Sequence, residues 1–101
     1  MTNKSMEKEI FKQITNEMLD LYIKKNTDYG SSVTDTYKDY GLVAFLVRMS
    51  DKMNRLKTLY RQPAQVSGEK IEDTLLDLAN YAILAMIEIR REAKENSKWK
   101  K

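Results

Sequence analysis

Apolar residues recur along this chain at helical rather than strand spacing. In the first third, Ile10, Ile14, Met18, Leu21 and Tyr22 return to one face of a 3.6-residue repeat, which predicts a helix from about Met6 to Lys25. Ser5 offers an N-cap, and Glu7 and Glu9 place negative charge in the first turns, although Lys8 stands where a capping box would have Glu or Gln. A second pattern follows Gly41, where Leu42, Phe45, Leu46, Met49, Met53, Leu56 and Tyr60 form a stripe flanked by Arg48, Asp51, Lys52 and Arg55 and closed by Pro63. The third runs from about Glu69 into the last ten residues. Between the first two lies "NTDYGSSVTDTYKDYG", rich in turn-forming residues and poor in aliphatic ones, which reads as a long loop with at most one short helical turn. Loops of that length tend to carry function or to be disordered, and Tyr29, Tyr37 and Tyr40 argue against disorder. The expected fold is all-α: a bundle of three long helices with a long loop between the first and second.

The third helix holds the main puzzle. "EDTLLDLANYAILAMIEI" is apolar around most of its circumference, yet Asp73, Asp77 and Asn80 sit at i, i+4 and i+7, within one narrow sector. Glu69 extends this stripe by a turn, and Ile71, Leu75, Leu78, Ala82 and Ile89 occupy roughly the other side. Beyond Asn80 the polar sector turns apolar at Leu84 and Ile87, so the acidic stripe is expected to climb into a buried zone. A buried carboxylate needs a cationic or hydrogen-bonding partner. Two readings stand. In one, Asp73 and Asp77 pair with Arg48, Lys52 or Arg55 on the second helix, and Asn80 hydrogen-bonds into the interior. In the other, the acids hold a divalent cation while the basic residues face a ligand's phosphates. Asp51 and Arg55, spaced i, i+4, carry the same ambiguity: an ordinary exposed ion pair, or a further metal ligand beside a phosphate-binding arginine. In "KKNTDYG", Lys24, Lys25 and Gly30 suit a helix end and turn, while Asp28 and Tyr29 could serve a site, the tyrosine by stacking on a base.

Composition narrows the chemistry. With 101 residues, 42% of them hydrophobic, the chain suits one domain, read as residues 1–96 with a basic tail at 97–101. A helix apolar nearly all round in so small a domain points to burial between subunits, hence a homo-oligomer. The absence of Cys and His excludes disulfides, zinc and haem sites of the usual kinds, and imidazole catalysis. Any metal would be a hard cation such as Mg²⁺ held by oxygens, with Asp51, Asp73 and Asp77 as its ligands and as the catalytic acids. The last eight residues carry four Lys and one Glu and so hold the entire formal charge of +3, leaving the body neutral by count. Polymeric nucleic acid is therefore not the expected partner of the body. The longest apolar run, Tyr81 to Ile87, falls short of the ~20 residues a membrane span needs, and no signal peptide is visible, so a cytoplasmic protein is expected.

Three blocks in order, "MLDLYIKKNTDYG" (Met18 to Gly30), "GLVAFLVRMSDKMNRLKTL" (Gly41 to Leu59) and "EDTLLDLANYAI" (Glu72 to Ile83), resemble the nucleotide modification associated domain 1 family, small proteins frequent in phages and prophages. The resemblance implies a nucleotide ligand and, for a phage-encoded protein, a place in the host cytoplasm. More distantly, the helical plan is similar to the MazG and dimeric dUTPase type of all-α nucleoside triphosphate pyrophosphohydrolases, in which acids on two adjacent helices hold Mg²⁺ against a polyphosphate. Those enzymes carry ExxE on one helix and ExxD on the next; here Asp51 has no carboxylate three residues before or after it, and Asp73 and Asp77 are four apart. The expected ligand is a phosphorylated nucleoside, with Arg48, Lys52 and Arg55 neutralising phosphate and Asp28, Tyr29 and Asn80 contacting base or sugar. Mg²⁺-dependent hydrolysis of a phosphoanhydride is one expected outcome. The alternative is a non-catalytic sponge that sequesters cyclic or modified nucleotide signals of bacterial anti-phage defence.

Overall fold

The computed structural model describes residues 3–29 and 32–99. The described chain is all-α: α1 (Asn3–Tyr29), α2 (Ser32–Tyr40), α3 (Val43–Tyr60) and α4 (Ala64–Trp99). It forms two compact units, Met1–Ser32 with α1 and Val33–Lys101 with α2, α3 and α4. None of the described helices is long and apolar enough to cross a membrane.

α1 continues past the expected Lys25 through Asn26 to Tyr29. Within it, Thr15 returns its hydroxyl to the Lys12 carbonyl at 3.0 Å, a local bond that a helix tolerates. Of the predicted stripe, Met18 is buried and Leu21 and Tyr22 are half-buried, whereas Ile10 and Ile14 are exposed.

The expected loop contains a helix, α2. Its Ser, Thr and Asp residues are weak helix formers, but Val33, Tyr37 and Gly41 fall four apart on its half-buried side. Asp35 near its start and Lys38 near its end complement the helix dipole. Gly41, at φ +70°, stops it in the left-handed conformation, with its N–H donating to the Tyr37 carbonyl at 2.7 Å. The chain then turns directly into α3, where the Ala44 and Phe45 amides bond the Gly41 and Leu42 carbonyls at 3.2 and 3.0 Å.

α3 and α4 pack as an αα-hairpin. α3 closes in a tightened turn, with the Arg61 and Gln62 amides donating to the Thr58 and Leu59 carbonyls just ahead of Pro63. α4 begins at Ala64, five residues before the expected start, and runs 36 residues through Gly68 to Trp99. Ser67 and Gly68 read as punctuation in the sequence, but one glycine penalises a helix by only ~1 kcal/mol, which the rest of so long a helix outweighs. Ser97, Lys98 and Trp99, expected to belong to a tail, are helical backbone.

The inward faces keep only part of the predicted apolar stripes. On α3 the buried and half-buried residues are Ala44, Phe45, Met49, Lys52, Leu56 and Leu59, a stripe with Lys52 near its middle, whereas Leu42, Leu46, Met53 and Tyr60 are exposed. On α4, Thr74, Asn80, Ala85 and Glu88 are buried and Ile71, Leu76, Asp77, Leu78, Tyr81, Leu84 and Ile87 half-buried; of the predicted apolar side, Ile71 and Leu78 are thus partly covered while Leu75, Ala82 and Ile89 face out. The polar sector of α4 thus lies on its packed side. Thr74 meets this environment by donating its hydroxyl to the Lys70 carbonyl at 2.7 Å.

Candidate functional site

Where the two polar sectors meet, Lys52 Nζ on α3 lies 3.3 Å from Asp77 Oδ2 on α4. Both side chains are about a third exposed, at 28% and 34%, so the pair is neither a fully solvated contact nor a sealed one. Asn80, one turn further along α4, is only 7% exposed. The acidic stripe does ascend into cover as the sequence implied: Asp73 exposed, Asp77 half-buried, Asn80 buried.

The other expected site residues distribute around this pair. Arg48 and Arg55 flank Lys52 at i−4 and i+3 and are exposed, as is Asp51 between them. The Asp51–Arg55 spacing does not close into an ion pair, and neither arginine pairs with a carboxylate among the described residues. Among the described residues no three Asp or Glu side chains are placed so that they could share a metal ion. Asp51, Asp73 and Asp77 do not form one convergent oxygen set in this arrangement, with Asp77 already engaged by Lys52. Asp28 and Tyr29 lie in the last turn of α1, and their side chains fall outside the described residues.

A second polar assembly lies further along α4. Glu88 stands eleven positions after Asp77, and eleven steps of ~100° return to within ~20° of the same side. It is 5% exposed and fully engaged: Thr34 of α2 donates to Oε1 at 2.8 Å, and Arg91 Nη1 donates to Oε1 and Oε2 at 3.1 and 3.3 Å. Arg91 also donates to the Thr34 hydroxyl, closing a three-membered network. Alongside it, Tyr37 donates its hydroxyl to Glu92 Oε2 at 2.8 Å and leans its ring on Phe45 of α3, centroids 6.0 Å apart. The hydrogen bond to Glu92 raises the Tyr37 pKa above 10.0, with partial desolvation and the charges of Glu92 and Glu88 acting in the same direction. α2 has no buried residue, and these polar bonds and the Tyr37–Phe45 contact help to fix it against its neighbours. Tyr37, Lys38, Gly41, Glu88, Arg91, Glu92 and Glu95 line a cleft of about 290 Å³.

Thr34, Tyr37, Lys38, Glu88, Arg91 and Glu92 do not stand out as site residues in the sequence. The available signal is the eleven-residue register, which carries Asp77 onto Glu88 and Asn80 onto Arg91 across the apolar Leu84 and Ile87. Its meaning depends on the Thr- and Asp-rich segment before α3 being a helix able to supply partners.

The fold and site define an all-α domain whose packed hairpin sets Lys52 against Asp77, with Arg48 and Arg55 exposed on either side of the lysine and Asn80 buried one turn beyond the acid. The family model described as nucleotide modification associated domain 1 matches residues 25–89, from the end of α1 to Ile89, and the chain belongs to that family. No curated protein and no solved structure matches the chain.

Proposed function

We propose that this protein binds a phosphorylated nucleoside along the α3–α4 hairpin, with Arg48, Lys52 and Arg55 receiving the phosphates and Asp77 and Asn80 setting the geometry beside them. The observation that carries this reading is the incomplete neutralisation of α3. Arg48, Lys52 and Arg55 recur at i, i+4 and i+7 on one side of the helix, yet only Lys52 meets a carboxylate among the described residues. Like charges at this spacing oppose one another by ~0.2–0.5 kcal/mol per pair. A multiply charged phosphate would relieve that repulsion and accept the guanidinium donors in fork geometry. Membership of a nucleotide-associated family supports a nucleoside as the carrier of that phosphate.

Binding does not require the acids to converge on a metal, so the reading includes a phage-type sponge that holds a cyclic or modified nucleotide intact. Hydrolysis would require Mg²⁺ to draw Asp51, Asp73 and Asp77 together when the ligand binds. The working unit in either case is a homo-oligomer, supported by the outward apolar residues Leu46, Val47, Ile83 and Met86.

Calorimetric titration with nucleoside mono-, di- and triphosphates and cyclic dinucleotides, followed by analysis of the recovered ligand, tests the proposal. Binding is expected to weaken about tenfold for each of Arg48→Ala and Arg55→Ala, as loss of a charge-assisted contact implies. Turnover that needs Mg²⁺ and is abolished by Asp77→Ala would assign an enzyme; intact ligand would assign a sponge. No binding at micromolar concentration would refute both.

A further inference from the structure

The α2–α4 cleft is untouched by the proposed phosphate row, and its lining is selective about what can occupy it. A simple anion entering it would meet Glu92 and Glu95, and a simple cation would meet Lys38 and Arg91. A ligand carrying donors and acceptors side by side would meet both sets. Tyr37 adds an aromatic ring to the wall, and a volume of about 290 Å³ is at the small end of ligand pockets, suited to one planar heterocycle.

Some of the lining groups are held in place by their own bonds. Glu88 and Thr34 immobilise Arg91 through Nη1, leaving its other N–H groups available as donors. Tyr37 occupies Oε2 of Glu92, so Oε1 remains as an acceptor. Glu95, one turn further along α4, is exposed and has no partner among the described residues.

We propose that this cleft is a nucleobase pocket selective for guanine, with Glu95 and Glu92 accepting its N1–H and 2-amino protons, Arg91 and Lys38 donating to O6 and N7, and Tyr37 covering one ring face. Guanine fits because its donor pair and its acceptor pair lie on adjoining edges of one plane. The eleven-residue register places the pocket on the same side of α4 as Asp77, ~16 Å along the helix axis, so base and phosphates would extend along one face. The proposal rests on the phosphate-binding reading only in taking the base to belong to a nucleotide.

The test uses the full chain titrated with GMP, with IMP, which lacks only the 2-amino group, with guanosine, and with inorganic tripolyphosphate. Wild type is expected to bind GMP about tenfold more tightly than IMP, the worth of one hydrogen bond to a charged acceptor. Glu95→Gln, an exposed change that leaves the Glu88 network and the Tyr37 hydroxyl bond in place, should bring that ratio near one while leaving tripolyphosphate affinity unchanged. Equal binding of GMP and IMP by wild type, or a ratio unaltered in Glu95→Gln and in Glu92→Gln, overturns the pocket. If tripolyphosphate binds without base discrimination, the pocket is wrong and the phosphate reading survives. If guanosine binds and shifts the Tyr37 ring resonances while tripolyphosphate does not bind, the pocket stands and the phosphate reading falls. Absence of all binding removes both.

Discussion

Two carboxylates on the same side of α4 differ in what their removal should do. Asp77 is a third exposed and meets one ammonium, so the Lys52–Asp77 pair contributes at most ~1 kcal/mol to stability by the usual worth of such contacts. A double-mutant cycle with Lys52→Ala and Asp77→Ala in urea unfolding should return a coupling no larger than that. Glu88 is nearly sealed and answers to Thr34 and Arg91, so Glu88→Ala would leave Thr34 without its acceptor and Arg91 without its carboxylate and should destabilise by ~2–3 kcal/mol. Tyr37 gives a pH signature. Its hydroxyl is held in the neutral form by Glu92, so the folded state raises its pKa, and the associated stabilisation is complete below the free phenol's 10.0 and lost as pH rises through the higher folded value. Tyrosinate absorbance should show one late-titrating tyrosine in wild type that is absent in Tyr37→Phe and shifts towards 10.0 in Glu92→Gln. Residue types alone reveal Lys52, Asp77 and Asn80, because polar side chains on an otherwise apolar helix stand out. They do not reveal Glu88 or Arg91, because near the charged end of α4 such residues look like ordinary solvated surface until α2 is placed against them.

At the level of helices, the two glycines Gly41 and Gly68 serve opposite purposes. Gly41 sits at φ +70° with open space where a Cβ would project, so Gly41→Ala meets no clash but forces a left-handed conformation on an L side chain and should destabilise by ~1 kcal/mol. Gly68 lies inside α4, also with open space where an alanine methyl would sit, and Gly68→Ala should stabilise by ~0.5–1 kcal/mol. Urea midpoints moving in opposite directions would check both. The boundaries of α3 are legible in the sequence because a periodic stripe lies between Gly41 and Pro63. α2 is not, since its residues have poor intrinsic propensity and its docking depends on Thr34 and Tyr37 reaching partners more than fifty positions away. The helix faces depart from the apolar pattern for a related reason. Apolar content suggests that Ile71, Leu75, Leu78, Ala82 and Ile89 point inward, but only Ile71 and Leu78 are partly covered, and packing on α3 places Lys52 and Asp77 along the contact.

For the whole molecule, the proposed homo-oligomer would cover outward apolar residues. Leu46 and Val47 on α3 and Leu75 and Met86 on α4 are each about half exposed. Sedimentation velocity is expected to show a dimer or larger species, and Leu46→Glu with Met86→Glu is expected to shift it to monomer; a wild type that is monomeric at every concentration would rule the oligomer out. Function turns on whether the cation row of α3 receives phosphate. Calorimetric titration of wild type and the Arg48→Ala, Arg55→Ala double variant with a nucleoside triphosphate at two salt concentrations decides this. Micromolar or tighter binding is expected, weakening with salt and falling about a hundredfold in the double variant. Binding that ignores both salt and the two arginines would refute phosphate recognition by this row.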